Sequence, residues 1–380
     1  MEHHQLIFAG GGTGGHIFPA LAIAEHAREI DPSVGVHVLC STRAVDTNIL
    51  NKESVGYTPI PARPPITRPM AALRFAMSWF PALGASKRAI HARQELGPVT
   101  LIAMGGFVCA PAVAAARALG VPVVLVNLDA VPGKANRHVA TRAARVFTAC
   151  KVEADGGGPA WDDVGAIVRP AFSKAGENTD PSRVVSARGA FGLEGHTKTM
   201  LVTGGSQGAT SINELFKAML AEDAGAFEGW QVIHQVGEHH EPAELRACYE
   251  QAGVRAWVER FISENPADMP AAWLASDLSI GRCGAGTVAE AWATRTPAVF
   301  FPYPYHTDGH QKANAQALVK AGAAIVLDDR VDPDKNMGEH GSVLFGLLTD
   351  PARLDALREP AQRLRPVDGA RRVAQALLDQ

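Results

Sequence analysis

The sequence predicts an α/β protein: two Rossmann-like domains, each a parallel sheet with helices on both faces, facing one another across a cleft. Three observations predict it. Short β-branched runs alternate with longer alanine-rich stretches along most of the chain, and alternating β and α favours a parallel sheet covered on both sides. Residues 6–24 (LIFAGGGTGGHIFPALAIA) and 200–216 (MLVTGGSQGATSINELF) repeat one pattern of apolar strand, glycine loop and helix. The length of 380 residues exceeds one ordinary domain and suits two of roughly 150–200.

In the first half, Val36–Cys40, Thr100–Met104 and Val121–Val126 read as buried strands, with helices at Pro19–Ile30 and Pro111–Leu119. In the second half the strands are Met200–Thr203, Gln231–Gln235, Asp277–Gly281 and Ala298–Phe301, with a helix at Thr287–Ala293. Domains are expected over residues 1–170 and 198–350, with a boundary in 170–198 and one closing helix in 351–380 that packs back on the first domain. A cleft between domains and the carboxyl ends of parallel strands are the expected ligand positions.

Composition narrows the class. A hydrophobic fraction of 47%, a charged fraction of 20% and a net charge of −3 describe an ordinary globular chain and disfavour a general nucleic-acid binder. Cys40, Cys109, Cys150, Cys248 and Cys283 form no CxxC pair, so the reading is reduced thiols in a cytoplasmic protein without a zinc knuckle or disulfide framework. The start MEHHQLIFAGGG has no basic n-region, and no run reaches the ~20 apolar residues of a membrane span.

The chemistry concentrates in glycine loops. GGGTGGH (10–16) formally satisfies GxGxxG, a weak signal alone. The second strand ends CSTR without the acid that holds an NAD ribose; Arg43 leaves NADP formally open. Thr13, Gly14 and Gly15 open a helix whose free N–H groups and dipole favour an anion. GGSQG (204–208) adds the Ser206 hydroxyl, with Gln207 beside it, at another helix start. GRCGAGTVAE (281–290) is the most informative loop. Arg282, Thr287 and the helix N-terminus suit a diphosphate, and Glu290 one turn on suits a ribose diol. His306, Asp308, His310, Gln311 and Asn314 gather at one mouth, able to read hexose hydroxyls. A metal reading of His306, Asp308 and His310 is the weaker one, because of the turn-forming Gly309 and the absence of a supporting acidic partner pattern.

Several motifs in order resemble the MurG family of GT-B glycosyltransferases: GGTGGHIFPALAIAE (11–25), MGGFVCAPAVAAARALGVPVVL (104–125), VTGGSQGATSIN (202–213), RFIS (260–263), GRCGAGTVAEA (281–291) and HTDGHQKANA (306–315). The resemblance implies metal- and cofactor-independent transfer of N-acetylglucosamine, with inversion, from its UDP donor to the undecaprenyl-linked muramoyl-peptide of peptidoglycan synthesis. It assigns His16 to catalysis or acceptor binding and Arg169 to the hinge. Ser206 and Gln207 fall on the donor-phosphate loop, Phe261 and Ile262 on the uracil slot. Thr287 falls on a diphosphate contact, Glu290 on the ribose contact and Gln311 on the donor sugar. There are departures. Val126-Asn127-Leu128-Asp129 stands where the family usually has His-Glu-Gln-Asn, His310 replaces the first of two glutamines, Gly309 replaces an arginine, and Ala166-Ile167 replaces Asn-Pro before Arg169.

For mechanism, His16 is the candidate base and Asp129 the second candidate. Loop N–H groups and Arg282 would stabilise the leaving group, and domain closure would align the reactants. A lipid-linked acceptor implies membrane contact. Residues 66–83 carry Met70, Leu73, Phe75, Met77, Trp79, Phe80 and Leu83 with cations flanking them, suited to peripheral docking on an anionic inner leaflet. The rivals are a related transferase with another acceptor, a UDP-sugar 2-epimerase, an NADP oxidoreductase and a non-catalytic UDP-sugar binder.

Overall fold

Every described strand is parallel to its neighbours, in a computed structural model that describes residues 3–12, 14–64, 69–152, 160–177, 180–262, 268–305 and 309–379, the side chains of 69–73 excepted. The chain divides into two compact units, Met1–Pro170 with Asp368–Gln380, and Ala171–Val367.

The first unit opens β1 (Gln5–Ala9), α1 (Ile17–Ile30), β2 (Gly35–Ser41), α2 (Ala44–Lys52), β3 (Tyr57–Ile60) and α3 (Pro69–Gln94). It continues β4 (Val99–Ala103), α4 (Cys109–Ala118), β5 (Val123–Asn127), α5 (Lys134–Ala140), β6 (Arg145–Thr148) and β7 (Trp161–Asp163). The sheet order is β3-β2-β1-β4-β5-β6-β7. β1, β4 and β5 are buried at every position, as apolar strands covered on both faces must be. Their side chains join those of α4 in one core that includes Ile7, Leu101, Val108, Ala112 and Leu125.

The second unit runs α6 (Pro170–Glu177), α7 (Pro181–Ala190), β8 (Lys198–Thr203), α8 (Thr210–Glu222), β9 (Trp230–Gln235), α9 (Pro242–Gln251), β10 (Ala256–Glu259) and α10 (Met269–Ala275). Then come β11 (Leu278–Gly281), α11 (Ala285–Thr294), β12 (Ala298–Phe300), α12 (His310–Lys320), β13 (Ala324–Val326), α13 (Pro333–Thr349) and α14 (Pro351–Gln362). Its order, β10-β9-β8-β11-β12-β13, is the doubly wound order of dinucleotide-binding sheets, in which ligands collect where the winding reverses. Here that point lies between β8 and β11, and in the first unit between β1 and β4.

Two expectations about boundaries are corrected. The second unit begins at Ala171, before residue 198, because α7 is fastened to it: Arg188 donates to the Ala275 carbonyl at 3.0 Å and to Asp277 at 2.7 Å. The single closing helix over 351–380 is two helices, α14 and α15 (Gly369–Leu378). Pro366 between them has no N–H to continue a helix. α14 belongs to the second unit, and α15 belongs to the first, where it packs on α1.

Candidate active site

In the first unit the site grows from the loops after β1 and β4. His16 is the N-cap of α1 and makes no side-chain capping bond. Its ring lies against Gly105 and Gly106, whose φ values of +110° and +78° favour glycine; a Cβ on Gly105 would stand 2.9 Å from His16 Nε2. The MGGF glycines therefore make room for an imidazole. His16 Nδ1 is buried and has no hydrogen-bond partner. Burial lowers the His16 pKa, while Asp129, Asp46 and the Gly11 carbonyl act in the opposite direction without offsetting it. The ring is thus neutral at neutral pH and able to accept a proton.

Asn127, at the end of β5, donates through Nδ2 to the Asp129 carbonyl at 2.7 Å and to Thr148 Oγ1 at 3.2 Å, and accepts from Asn136 Nδ2 at 3.0 Å. It shapes the turn that carries Asp129. Asn136 Oδ1 comes within 3.6 Å of the same Gly105 point that His16 Nε2 approaches. The sequence does not single out Asn136, because nothing marks a lone asparagine in a short helix.

Asp46 is likewise unmarked in the sequence. It is fully buried and accepts from the Gly12 N–H at 3.0 and 2.8 Å, the Ser41 N–H at 3.0 Å and the Ser41 hydroxyl at 2.6 Å. Arg43 donates to the Gly12 carbonyl at 2.6 Å and lies over Phe107, so the cation that left NADP open is tied to the loop. The Gly12 N–H is likewise committed to Asp46, leaving an anion the N–H groups nearer α1. Gly14 lies in the turn before that helix, its carbonyl accepting from Ile17 and Phe18; Gly15 beside it is exposed, and Thr13 lies outside the described residues. Asp46→Ala would strand three donors, each costing about 1–3 kcal/mol when buried and unpaired. The expected loss is about 3–5 kcal/mol of first-unit stability, read as faster amide exchange in β1 and β2 with β8 unchanged.

Arg169, expected at the hinge, stands one residue before the boundary between the units. Its guanidinium makes a bidentate pair with Glu53 at 2.7 and 2.9 Å and donates to Glu25 at 2.7 Å, fixing the end of the first unit's chain to α1 and α2.

In the second unit, the helix N-termini sort by their caps. Asp180, Asp268, Asp332 and Asp350 cap α7, α10, α13 and α14 with side-chain hydrogen bonds. α8, α9, α11 and α12, preceded by Ala209, Glu241, Gly284 and Gly309, have no side-chain cap, and of these α8 and α11 follow the strands at the winding reversal. Their first N–H groups are open to an anion, with both dipoles favouring it. Ser206 and the exposed Gln207 stand before α8, and Thr287 is in the first turn of α11. The loop has no latitude: a Cβ on Gly208 would lie 2.1 Å from the Val236 carbonyl oxygen, and one on Gly237 2.1 Å from the Gly208 Cα.

Glu290, one turn into α11, accepts from Trp273 Nε1 at 3.0 Å. Burial pushes its carboxyl up to about 7, and the Trp273 bond only partly opposes this. Glu290 thus lies one turn from the uncapped start of α11 with its carboxyl held above its ordinary value. Gln235, unmarked in the sequence, bridges two loops: its Nε2 donates to the Gly205 carbonyl at 3.1 Å and its Oε1 accepts from the Ile262 N–H at 2.9 Å. The Ile262 N–H expected to read a base edge is therefore committed inside the protein. Phe261 precedes it, partly exposed.

Arg282, expected to stabilise the leaving group, has four partners inside the protein. Its Nη1 donates to Asp329 Oδ2 at 2.6 Å and to the Phe301 and Pro302 carbonyls at 3.0 and 3.2 Å, and its Nη2 donates to Ser211 at 3.0 Å. The expected leaving-group cation is thus engaged internally. Gln311, in the first turn of α12, accepts from the Tyr303 N–H at 2.8 Å through its side-chain oxygen. His310 begins α12 beside Gly309; His306 and Asp308 lie outside the described residues, as does Ser263. Among the described residues no cluster of His, Cys, Asp or Glu is disposed to hold a metal. Burial pushes the thiols of Cys40, Cys109 and Cys283 up to about 12.

The class is that of a two-domain glycosyltransferase. The glycosyltransferase family 28 N-terminal domain matches residues 6–148 and the family 28 C-terminal domain matches 199–338. A protein of Nocardioides sp. named UDP-N-acetylglucosamine–N-acetylmuramyl-(pentapeptide) pyrophosphoryl-undecaprenol N-acetylglucosamine transferase is 34% identical over 377 residues, covering 99% of this chain and 98% of its own. The protein of that name from Mycobacterium avium is 35% identical, covering 100% and 89%. The crystal structure of Acinetobacter baumannii MurG has the same fold, with a TM-score of 0.69 at 24% identity and full coverage of both chains. The chain belongs to the MurG family within glycosyltransferase family 28. A UDP-N-acetylglucosamine 2-epimerase shares the fold at a TM-score of 0.59 and 15% identity over 99% of this chain and 96% of its own, so fold alone does not separate the two activities.

Proposed function

We propose that this chain transfers N-acetylglucosamine from UDP-N-acetylglucosamine to the undecaprenyl-pyrophosphoryl muramoyl-pentapeptide, the reaction for which its full-length relatives are named. The observation that carries the donor half is the pair of uncapped helices α8 and α11 with Glu290 one turn in. The helix N-termini would hold the diphosphate and stabilise the charge that develops on the departing UDP. Glu290 would accept both ribose hydroxyls. In the first unit His16, neutral and lodged against Gly105 and Gly106, would take the proton of the acceptor hydroxyl as it attacks the anomeric carbon, inverting it. No metal is required by this scheme.

Membrane docking through α3 belongs to the same reading. Met77 and Phe80 are 69% and 76% exposed, which is not the burial of a core helix, and Lys87, Arg88 and Arg93 follow on the same helix. Apolar side chains beside cations suit the surface of an anionic leaflet; residues 66–68 and the side chains of 69–73 lie outside the described residues. No described helix is long and apolar enough to cross a membrane.

The test is UDP release from UDP-N-acetylglucosamine with and without the lipid-linked muramoyl-pentapeptide. Acceptor-dependent release with a lengthened glycan on the lipid is expected. Formation of the 2-epimer without acceptor would replace this reading with the isomerase. For docking, the protein should float with vesicles containing anionic lipid, and Met77→Ser with Phe80→Ser should leave it in the pellet; equal flotation of both would discard the docking face.

A further inference from the structure

We infer that Asp329 is a positioning residue for donor binding: through Arg282 and Ser211 it fixes the spacing of the two loops that present α8 and α11. The inference rests on the donor reading above and adds a residue that touches no ligand in it.

The Asp329 side chain is fully buried and that of Arg282 is 11% exposed. Asp329 Oδ2 accepts from Arg282 at 2.6 Å and from the Ser211 hydroxyl at 2.5 Å. Its Oδ1 accepts from Asn336 Nδ2 at 3.1 Å and from the Val331 N–H at 2.7 Å. Ser211 belongs to the first turn of α8, Arg282 follows β11 on the way to α11, and Asn336 is in α13. One carboxylate therefore ties the opening of α8, the loop before α11 and the segment after β13, while Arg282 adds the carbonyls at the end of β12. Burial by itself would raise the Asp329 carboxyl, but the bonds from Ser211, Asn336 and Val331 and the Arg282 charge hold it below its ordinary value.

A buried ion pair is a poor way to gain stability, because desolvation cancels most of the attraction and apolar side chains of like volume serve as well. What the pair supplies is direction, since each bond fixes an angle as well as a distance. Val331 carries the mark of that constraint: a β-branched residue at φ +67°, a backbone conformation tolerated only where the surroundings enforce it. With its charge matched by Asp329, Arg282 leaves the anion to N–H groups whose mutual placement the network sets.

The experiment compares the full chain with Asp329→Asn, Ser211→Ala and the double variant Arg282→Met with Asp329→Leu. The readouts are UDP affinity by calorimetry, steady-state kinetics with UDP-N-acetylglucosamine and the lipid-linked acceptor, and the thermal midpoint. Asp329→Asn is expected to raise the UDP Kd and the donor KM about tenfold with the acceptor KM unchanged. Ser211→Ala, which keeps the ion pair, should move both in the same direction by about threefold. The double variant should regain the parent's midpoint while its donor KM stays high. A role in stability alone would lower the active fraction, and hence kcat, leaving Kd and KM in place. An unchanged UDP Kd in Ser211→Ala and in the double variant, or a Kd that recovers together with the midpoint, would overturn the inference. A parent protein that binds no UDP would instead remove the donor reading on which it stands.

Discussion

Replacing His16 by alanine is expected to lower kcat by about 10²–10⁴-fold, the usual contribution of a positioned general base, with the donor KM nearly unchanged. The donor groups belong to the second unit, and His16 belongs to the first, which is why the effect falls on turnover. Burial lowers the His16 pKa below 6.5, so the basic form that a general base needs dominates at neutral pH. A neutral base must lose activity as it becomes protonated. The acid limb of the kcat profile should therefore lie below pH 6.5 and vanish in the alanine variant. Asp129→Asn is the control, since Asp129 is one of the charges that pull the His16 pKa upward. It should cost less than His16→Ala and shift the acid limb further down. If Asp129→Asn abolishes turnover while His16→Ala retains most of it, the roles of the two residues exchange.

The second large effect concerns Glu290. Its carboxyl, pushed up to about 7 by burial, must be ionised to accept two ribose hydroxyls. UDP-N-acetylglucosamine carries no group that titrates between pH 6 and 8, so a change in its affinity over that range reports the protein. Affinity should fall about tenfold from pH 8 to pH 6, as protonation withdraws the competent form. Glu290→Gln should flatten this dependence and weaken binding by about 10–100-fold, the worth of charge-assisted hydrogen bonds. Stability runs the other way. The folded pKa lies above the ordinary 4.5, so the folded state binds the proton more tightly than the unfolded one. The resulting stability is present below pH 4.5 and lost as pH rises toward 7. Glu290→Gln should therefore raise the thermal midpoint of the ligand-free protein at pH 8, and the gain should shrink at pH 5. A site that stabilises its ligand at the expense of its own fold behaves in this way. A pH-independent affinity in the parent would refute the assignment.

The strands and the glycine loops were legible because their signals are local. A run such as Leu101–Ala103 is apolar enough to be buried on both faces, and a glycine cluster between strand and helix restricts what the backbone there can do. The place of Glu290 one turn from its own loop was legible for the same reason. The roles of cations were not. Arg282 beside a phosphate-type loop reads as a ligand for the anion, and only the fold brings up Asp329, 47 residues away. Arg169 meets Glu53 and Glu25 across separations of 116 and 144 residues. Gly12 finds Asp46 across 34.

The sequence by itself thus determined the α/β class, the two β–loop–α starts and the family. The tertiary structure alone decided the internal partners of the polar groups: Asp329 for Arg282, Glu53 and Glu25 for Arg169, and no side-chain cap for α8 and α11. The reason is physical. A helix or a turn is specified by neighbours within a few residues, whereas a buried charge is stable only beside its counter-charge, and that partner comes from wherever the chain folds back.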